Sequence, residues 1–584
     1  MNILQHMTLP NIAFGAPEEM YARLAGETRI CRKNNKIFFD KYGRASFDTF
    51  FNSITVKSWK QNCKINDLFL SLKGRGKFVV RFCTHQLGCA QRIVEEHEVE
   101  LNEHEAVSIE FVKWQDLKEG MLYYELLALG EGNVSEGWIH TCTAAPNNIK
   151  IGIVITHFNR KEQVVPAIQR IRKDLLEQPL YKSKFSLIVV DNSKNLDENE
   201  TQGATLIPNK NLGGAGGFMR GLLHIRDHSD ITHCLLMDDD ASCEIESLRR
   251  TFAILSYSDS PRLAVAGSLL RELEPYRLFE KGARFDGLCR PLKTGMDMRR
   301  VKNLLFAELN DANAHYGGWW FFAFAAKDVN ELAFPFFVRG DDIGFGLANK
   351  FDILTLNGIS CWGDDFGLKS GPMPLYLDLR NHLIHSMRHH NKGALKTLAI
   401  AKEFIMSQLY SYNYASACAL NMALDHVMKG PDFFIQNMDM VEIRKTISSI
   451  SNSEKMIPIC RADHNLIYKT SRISKWRNVK RKLTLNGFLL PQSMIRNRTI
   501  FQHKSFHACL NTAYRNRKIL HVYEPHEIGY IAQHDKKLFF RALNTFVINA
   551  IKWLLNFNQI RKKYNTAWGS MTDESFWRNV YKQQ

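Results

Sequence analysis

Three short apolar runs, each closing on polar side chains, restrict this chain to one kind of core. Ile151-Gly-Ile-Val-Ile155 leads into Thr156-His-Phe-Asn-Arg160, Ser186-Leu-Ile-Val-Val190 into Asp191-Asn192-Ser193, and Cys234-Leu-Leu-Met237 into Asp238-Asp239-Asp240. Apolar runs without polar alternation are strands buried on both faces. After the first, Val164, Val165, Ile168 and Ile171 recur at helical spacing. Strands alternating with helices predict a doubly wound, mostly parallel α/β sheet. Ligands sit at the carboxyl ends of such strands, and Arg160, Asp191, Asn192 and the three aspartates all fall on that edge.

Three adjacent carboxylates at the mouth of a buried strand are costly unless something positive binds there. A divalent cation holding a sugar-nucleotide diphosphate meets that need, because Mg²⁺ and Mn²⁺ select carboxylate and phosphate oxygens. Asp238 and Asp240 are assigned to the cation. Upstream, Asn211 to Gly221 carries glycines at 213, 214, 216, 217 and 221. It lacks the closing Lys-Ser or Lys-Thr of a Walker loop. These glycines either let the backbone approach a donor nucleotide or mark a loop or a close helix contact.

A second acidic cluster, Arg339-Gly-Asp341-Asp342, follows the apolar Phe334-Pro-Phe-Phe-Val338. An inverting transfer needs one carboxylate to take a proton from the attacking hydroxyl. Asp342 is assigned as that base, with Asp341 positioning the acceptor. Gly317-Gly-Trp319-Trp320 lies between the clusters and suits an aromatic floor for a sugar ring, with core packing as the competing role.

A chain of 584 residues calls for several domains. Short runs with turn signals over 1–148 predict an N-terminal β-sandwich; Phe50, Phe51 and Trp59 there suit core packing better than carbohydrate contact. The α/β domain spans 149–393, and a helical, basic region spans 394–584. From Val441 to Gln584 there are 26 Lys and Arg against 8 Asp and Glu, while the whole chain carries +17. The excess therefore belongs to one region, which predicts an anionic partner. No nucleic-acid-binding module is recognisable there, so an anionic membrane surface is preferred. Apolar residues from Leu538 to Ile560 recur at spacings of three and four with Lys and Arg among them. That is the pattern of a bundle helix or of a basic amphipathic helix lying on a membrane. No apolar stretch reaches the roughly 18 residues of a membrane span. The twelve cysteines include no Cys-x-x-Cys pair, which fits reduced thiols. The N-terminus has neither the basic nor the apolar segment of a secretory signal. The expected location is cytoplasmic, peripheral at the inner face of the cell membrane.

The chain resembles polymerising galactofuranosyltransferases of the mycobacterial galactan type, within the inverting glycosyltransferase family two. The matching segments are Thr49-Phe-Phe-Asn52, Phe158-Asn-Arg160, Asn211-Leu-Gly-Gly-Ala-Gly-Gly217, Met237-Asp-Asp-Asp240, Trp319-Trp320, Asp341-Asp342 and Arg380-Asn381. The resemblance implies a GT-A fold, a UDP-galactofuranose donor, Mn²⁺ or Mg²⁺ and a growing lipid-linked glycan as acceptor. It implies donor binding by Phe158, Arg160, Asn192, Asn211 and Asp238, with Asp238 and Asp240 on the metal. Trp319, Trp320 and Asp341 would line the acceptor site, and Asp342 would be the base. The family places a histidine ligand directly after a tryptophan; here Trp362 is followed by Gly363, Asp364 and Asp365. Either Asp364 substitutes, or His382 or His385 reaches the metal, or the metal has fewer protein ligands. A homo-oligomer is compatible with this reading. So are two alternatives: another donor, rhamnosyl or pyranosyl, and a non-catalytic carbohydrate-binding scaffold.

Overall fold

The computed structural model describes residues 2–309, 313–364, 366–459, 466–467, 475–504 and 513–583. Between Asn2 and Thr141 eleven strands form one hydrogen-bonded array among the described residues. Its organiser is β1 (Phe69–His85), which pairs antiparallel with β2 (Met121–Ala128) along one half and with β3 (Gly132–Thr141) along the other. The sequence reads as two strands here, 67–72 and 76–82. They merge because the backbone passes through Gly74 and Gly76 without breaking. A Cβ on Gly74 would lie 2.1 Å from the Asn133 carbonyl oxygen, so the absent side chain is what lets the partner strand close in. The expected sandwich is thus a continuous array whose long strand crosses between its halves. Trp59 is in its core, while Phe50 and Phe51 are buried in a separate cluster with Leu270, Leu278 and Trp362 of the following unit.

The α/β unit follows. Its seven-stranded sheet contains β4 (Ile151–His157), β5 (Phe185–Asp191), β6 (Ala204–Pro208), β7 (His233–Asp238), β8 (Leu263–Ala266), β11 (Phe322–Ala325) and β12 (Asp352–Leu354). The order is β6-β5-β4-β7-β11-β8-β12, with β11 antiparallel to both neighbours. Side chains alternate between two cores. Ile151, Ile153, Ile155, Leu187, Val189, Leu235 and Met237 feed one, and Val154, Ile188, Val190, Cys234 and Leu236 feed the other. Burial on both faces is why these runs lack polar alternation. The linking helices are α1 (Lys161–Ile171), α2 (Gly213–Arg226) and α3 (Ile245–Tyr257). A smaller sheet carries β9 (Ser268–Arg271) and β10 (Leu278–Glu280) beside β13 (Ser360–Gly363). Helix α4 (Asp341–Asn349) completes this unit. The N-terminal array docks on α3 through polar contacts: Tyr21 donates to Glu244 at 2.8 Å, the His6 amide to Glu246 at 2.7 Å and Arg250 to the Phe51 carbonyl at 2.7 Å.

The remainder is helical but not only helical. Helices α5 (Pro372–Arg388), α6 (Ala394–Tyr410) and α7 (Tyr414–Lys429) pack against α8 (Lys536–Met571). Between α7 and α8 stands a five-stranded sheet among the described residues, built on β14 (Arg496–His503), β15 (Asn516–Tyr523) and β16 (Ile528–Gln533). An all-helical reading of 394–584 therefore misses this sheet. The expectation of no span-length apolar segment also needs correction: α8 is long and apolar enough to cross a membrane by length and composition. One face, running through Phe546, Trp553, Phe557, Tyr564 and Trp568, is buried in the helical core. A last helix, α9 (Glu574–Lys582), lies on α2.

The glycines of α2 are explained by this packing. A Cβ on Gly221 would meet Val154 at 2.2 Å and one on Gly217 would meet Thr156 at 2.2 Å, so the helix sits directly on β4. Gly221→Ala is therefore expected to lower the thermal unfolding midpoint, at a cost of about 1–3 kcal/mol for forced overpacking. Gly130→Ala, whose Cβ would meet nothing within 4 Å, is the control and leaves the midpoint in place.

Candidate active site

The acidic edge of the sheet is assembled by β4, β5 and β7. Asp191 ends β5 and accepts backbone hydrogen bonds from Ser193, Lys194, Asn195 and Leu196. Burial alone would raise its carboxyl, but these donors hold it below the usual range. It therefore shapes the loop after β5. Asn192 donates to the Gly213 carbonyl at 3.2 Å and accepts from Asn209 at 2.8 Å, while Asn211 accepts from the Gly213 amide at 3.0 Å. Both predicted donor-binding asparagines thus secure the start of α2. Gly213 has φ +71, and a Cβ there would fall 2.1 Å from the Phe337 carbonyl oxygen. Together with Gly217 and Gly221 it makes the glycine run a helix-docking device, the second of the two readings the sequence allowed.

The three aspartates behave differently. Asp239 accepts from the Phe158 amide at 3.0 Å and from Arg160 at 3.2 Å, and His157 lies 3.4 Å from it. It ties β7 to the loop after β4 and leaves the half-exposed Phe158 ring at the rim. Asp240 is paired by Arg160 and by Lys369, the latter at 2.8 Å. Lys369 also lies 3.5 Å from Asp364. Burial, and then Asp240 and Asp239, push the Asp238 carboxyl up to about 7. A lysine ammonium thus sits between two of the predicted metal carboxylates, Asp240 and Asp364.

His382 and His385 do not join them. His385 is fully buried with Nε2 2.6 Å from the Gly340 carbonyl, and burial pushes it down to about 3. A neutral ring that donates from Nε2 has no lone pair there for a metal. His382 Nε2 lies 3.0 Å from Cys289 Sγ. Among the described residues no three His, Cys, Asp or Glu side chains are grouped to hold a metal; Asp365 lies outside them. The available donors are the oxygens of Asp238, Asp240 and Asp364, a set that suits a hard cation once Lys369 gives way.

Asp341 and Asp342 open α4 after a backbone stretch with φ of +77 at Phe337, +65 at Arg339 and +87 at Gly340. Non-glycine residues pay for that geometry, and surrounding structure must enforce it. Helix α5 does so: Arg380 donates to the Phe336 carbonyl, Asn381 to those of Val338 and Arg339, and His385 to that of Gly340. The matched Arg380-Asn381 pair is thus a clamp. It turns the two aspartates to opposite sides. Asp341 is buried, and a Cβ on Gly214 would lie 3.2 Å from its Oδ2 at the start of α2. Burial and then Asp342 raise its carboxyl, with Asp238 contributing. It lies toward the start of α2 and Asp238 and does not line the cavity that Asp342 lines.

Asp342 lines a cavity of about 730 Å³. Its Oδ1 accepts from the Ile343 amide at 2.8 Å, and burial pushes the carboxyl up to about 6. The adjacent tryptophans also separate. Trp320 lines the cavity beside Phe366 and Phe279, with its indole nitrogen donating to the Gly267 carbonyl at 3.1 Å. Trp319 is 4 % exposed between Phe218 and Phe345 and is not a lining residue. The two are the central residues of a turn, closed by the Phe321 amide donating to the Gly318 carbonyl at 3.3 Å, and only Trp320 lines the cavity.

Five contributors escaped the sequence reading. His503, Lys504 and Tyr523 of the C-terminal sheet region form a cavity wall. Lys369 is held in place by Lys504, which donates to the Ser370 carbonyl at 2.7 Å. Glu280 lines the cavity too. Only Glu280 carried a signal: in Leu278-Phe279-Glu280 it shares a face with Leu278, an acid on the inward side of an apolar strand.

No family model matches the chain. It is similar to galactofuranosyltransferase GlfT2 of Mycobacterium tuberculosis (strain ATCC 25618 / H37Rv), 24% identical over 423 residues that cover 66% of this chain and 65% of that protein. Similarity to galactofuranosyltransferase GlfT2 of Mycolicibacterium smegmatis is 23% over 437 residues, 68% of this chain and 66% of the relative. The chain thus spans just under two thirds of the length of these relatives. Similar solved structures include GalNAc-T7 with UDP, GalNAc and Mn²⁺, at 9% identity and TM-score 0.31 over 43% of this chain and 49% of that one. Another is the mannosyltransferase PcManGT from Pyrobaculum calidifontis with GDP-Man and Mn²⁺, at 14% identity and TM-score 0.28 over 52% and 84%. Superpositions this loose decide nothing about individual residues.

If Lys369 competes for the cation position, Lys369→Met binds Mn²⁺ about three- to tenfold more tightly than the wild type, as expected for removing one partly exposed ion pair. Electron paramagnetic resonance titration without nucleotide reads this directly, and equal affinities would remove Lys369 from that role.

Proposed function

We propose that this protein is an inverting GT-A glycosyltransferase that moves galactofuranose from UDP-galactofuranose to a growing, lipid-linked surface glycan. The observation that carries the reading is Asp342. It stands at the wall of a cavity large enough for sugar residues, beside an aromatic platform, and its neighbour Asp341 faces the acidic sheet edge. Similarity to the two mycobacterial galactofuranosyltransferases supports the choice of donor.

In this mechanism the acceptor sugar packs on Trp320 and presents a hydroxyl to Asp342. With one oxygen held by the Ile343 amide, the carboxylate accepts the hydroxyl proton as the new glycosidic bond forms. Burial raises the Asp342 carboxyl toward about 6, which strengthens it as a proton acceptor. Phe158 and Arg160 border the uridine diphosphate. When bound at Asp238 and Asp240, Mg²⁺ or Mn²⁺ would neutralise the diphosphate's charge. Arg160, half-buried beside Asp239 and Asp240, fixes those carboxylates.

The acceptor's lipid would be met at an anionic membrane surface by α8. Val547, Ile551, Leu554 and Leu555 are exposed on it, and Lys552, Arg561, Lys562 and Lys563 lie close by in sequence. Lys and Arg near an anionic surface each contribute about 1 kcal/mol.

A panel of nucleotide sugars with Mn²⁺ should release UDP from UDP-galactofuranose in preference to the others. Asp342→Ala should cut transfer by about 10²–10⁴-fold while donor affinity holds. Wild-type turnover should fall as pH drops through about 6, where Asp342 becomes protonated. Binding to phosphatidylglycerol vesicles should weaken as salt rises; binding indifferent to salt would separate the basic region from membrane contact.

A further inference from the structure

Glu280 is a buried acid that the proposed reaction leaves unused. It ends β10, pairs in register with Leu269 of β9 and is 4 % exposed. Its side chain lines the 730 Å³ cavity that Asp342 also lines. Oε1 has no hydrogen-bond partner among the described residues. The adjacent Lys281 does not compensate it, because its ammonium pairs with Glu308 at 2.8 Å. Of the arginines lining the cavity, Arg271 pairs with Glu274, Arg290 with Asp286 and Arg339 with Asp378. Buried polar atoms are almost always satisfied, and an orphan aimed into a cavity calls for a ligand. A second carboxyl so close to Asp342 disfavours an anionic ligand. A sugar hydroxyl, which both donates and accepts, satisfies it.

We propose that Glu280 is an acceptor-binding residue, hydrogen-bonded to a hydroxyl of the acceptor glycan other than the one that Asp342 deprotonates. This rests on the glycosyltransferase reading above and names how that site holds its acceptor. The two carboxyls then divide the work through their surroundings. Burial, and next the charge of Asp342, push Glu280 up to about 8, whereas Asp342 stands at about 6. Between those values Asp342 accepts a proton while Glu280 keeps one to donate. The other titratable side chains around Glu280 are Tyr316, whose hydroxyl burial raises far above neutrality, and Cys289, with Arg271 completing the wall.

The test compares wild type, Glu280→Gln and Glu280→Ala, using an octyl β-galactofuranosyl disaccharide as the acceptor probe over about pH 5.5–9. Glu280→Ala should raise the acceptor KM by roughly tenfold or more, the penalty of a lost hydroxyl contact, with the donor KM unchanged. In the wild type, transfer should decline as pH rises through about 8, where Glu280 loses its proton. Glu280→Gln keeps a donor at every pH, so that alkaline decline should vanish while the acid limb stays. A merely structural glutamate would not move the limb. An unchanged acceptor KM in Glu280→Ala, or an alkaline limb that persists in Glu280→Gln, overturns the proposal. Saturation-transfer NMR of the disaccharide without donor separates the two readings. A wild type that binds the probe but transfers nothing sinks the reaction, whereas equal binding by wild type and Glu280→Ala sinks the role of Glu280.

Discussion

Charge compensation at the end of β7 is the constraint on which this structure turns. Three consecutive carboxylates stand there, and Arg160 and Lys369 hold them against mutual repulsion. Each cation comes from a different part of the chain: Arg160 opens α1, and Lys369 rides on the loop before α5. Because that loop is itself tied to the C-terminal sheet by Lys504, the acidic edge depends on residues more than a hundred positions away. The carboxylates thus organise three regions around one point.

The clamp on the loop before α4 answers a different problem. Asp341 and Asp342 are adjacent, yet one must face the sheet edge and the other the cavity. A helix start provides the divergence, and consecutive positive φ angles provide the abrupt entry. Arg380, Asn381 and His385 hold that entry from α5 through carbonyl oxygens. Their burial means that Asp342 is positioned through the backbone of its own loop, and its Oδ1 is held by the Ile343 amide.

The core of the α/β unit was legible because both-sided burial writes an unbroken apolar run into the sequence, and the residues at the ends of β4, β5 and β7 fell where that logic put them. The glycines of α2 were not: close helix packing and phosphate approach demand the same residue type, and only the contacts with Val154, Thr156 and Phe337 separate them. Trp319 and Trp320 posed the same ambiguity, since pattern alone does not say which of two neighbours points inward. The same holds for the adjacent Asp341 and Asp342, of which only Asp342 lines the cavity. The C-terminal sheet was hidden by composition. Strand β14, Arg-Asn-Arg-Thr-Ile-Phe-Gln-His, starts with exposed basic residues and buries only Ile500, Phe501 and Gln502. Lys369 had no signal at all, being a lone loop cation whose role is defined by what folds back onto it.

Helix α9 bears on when the site becomes whole. Tyr581 donates to the Gly216 carbonyl at 2.6 Å, Trp577 to that of Ala333 at 2.8 Å, and Arg226 and Asp227 of the α2 end are paired by Glu574 and Arg578. This brace reaches back more than 340 positions to the helix whose start borders the acidic edge. During synthesis the sheet and its carboxylates emerge from the ribosome long before residues 574–582 do. A nascent chain therefore carries the chemical groups of the site well ahead of the support that fixes them.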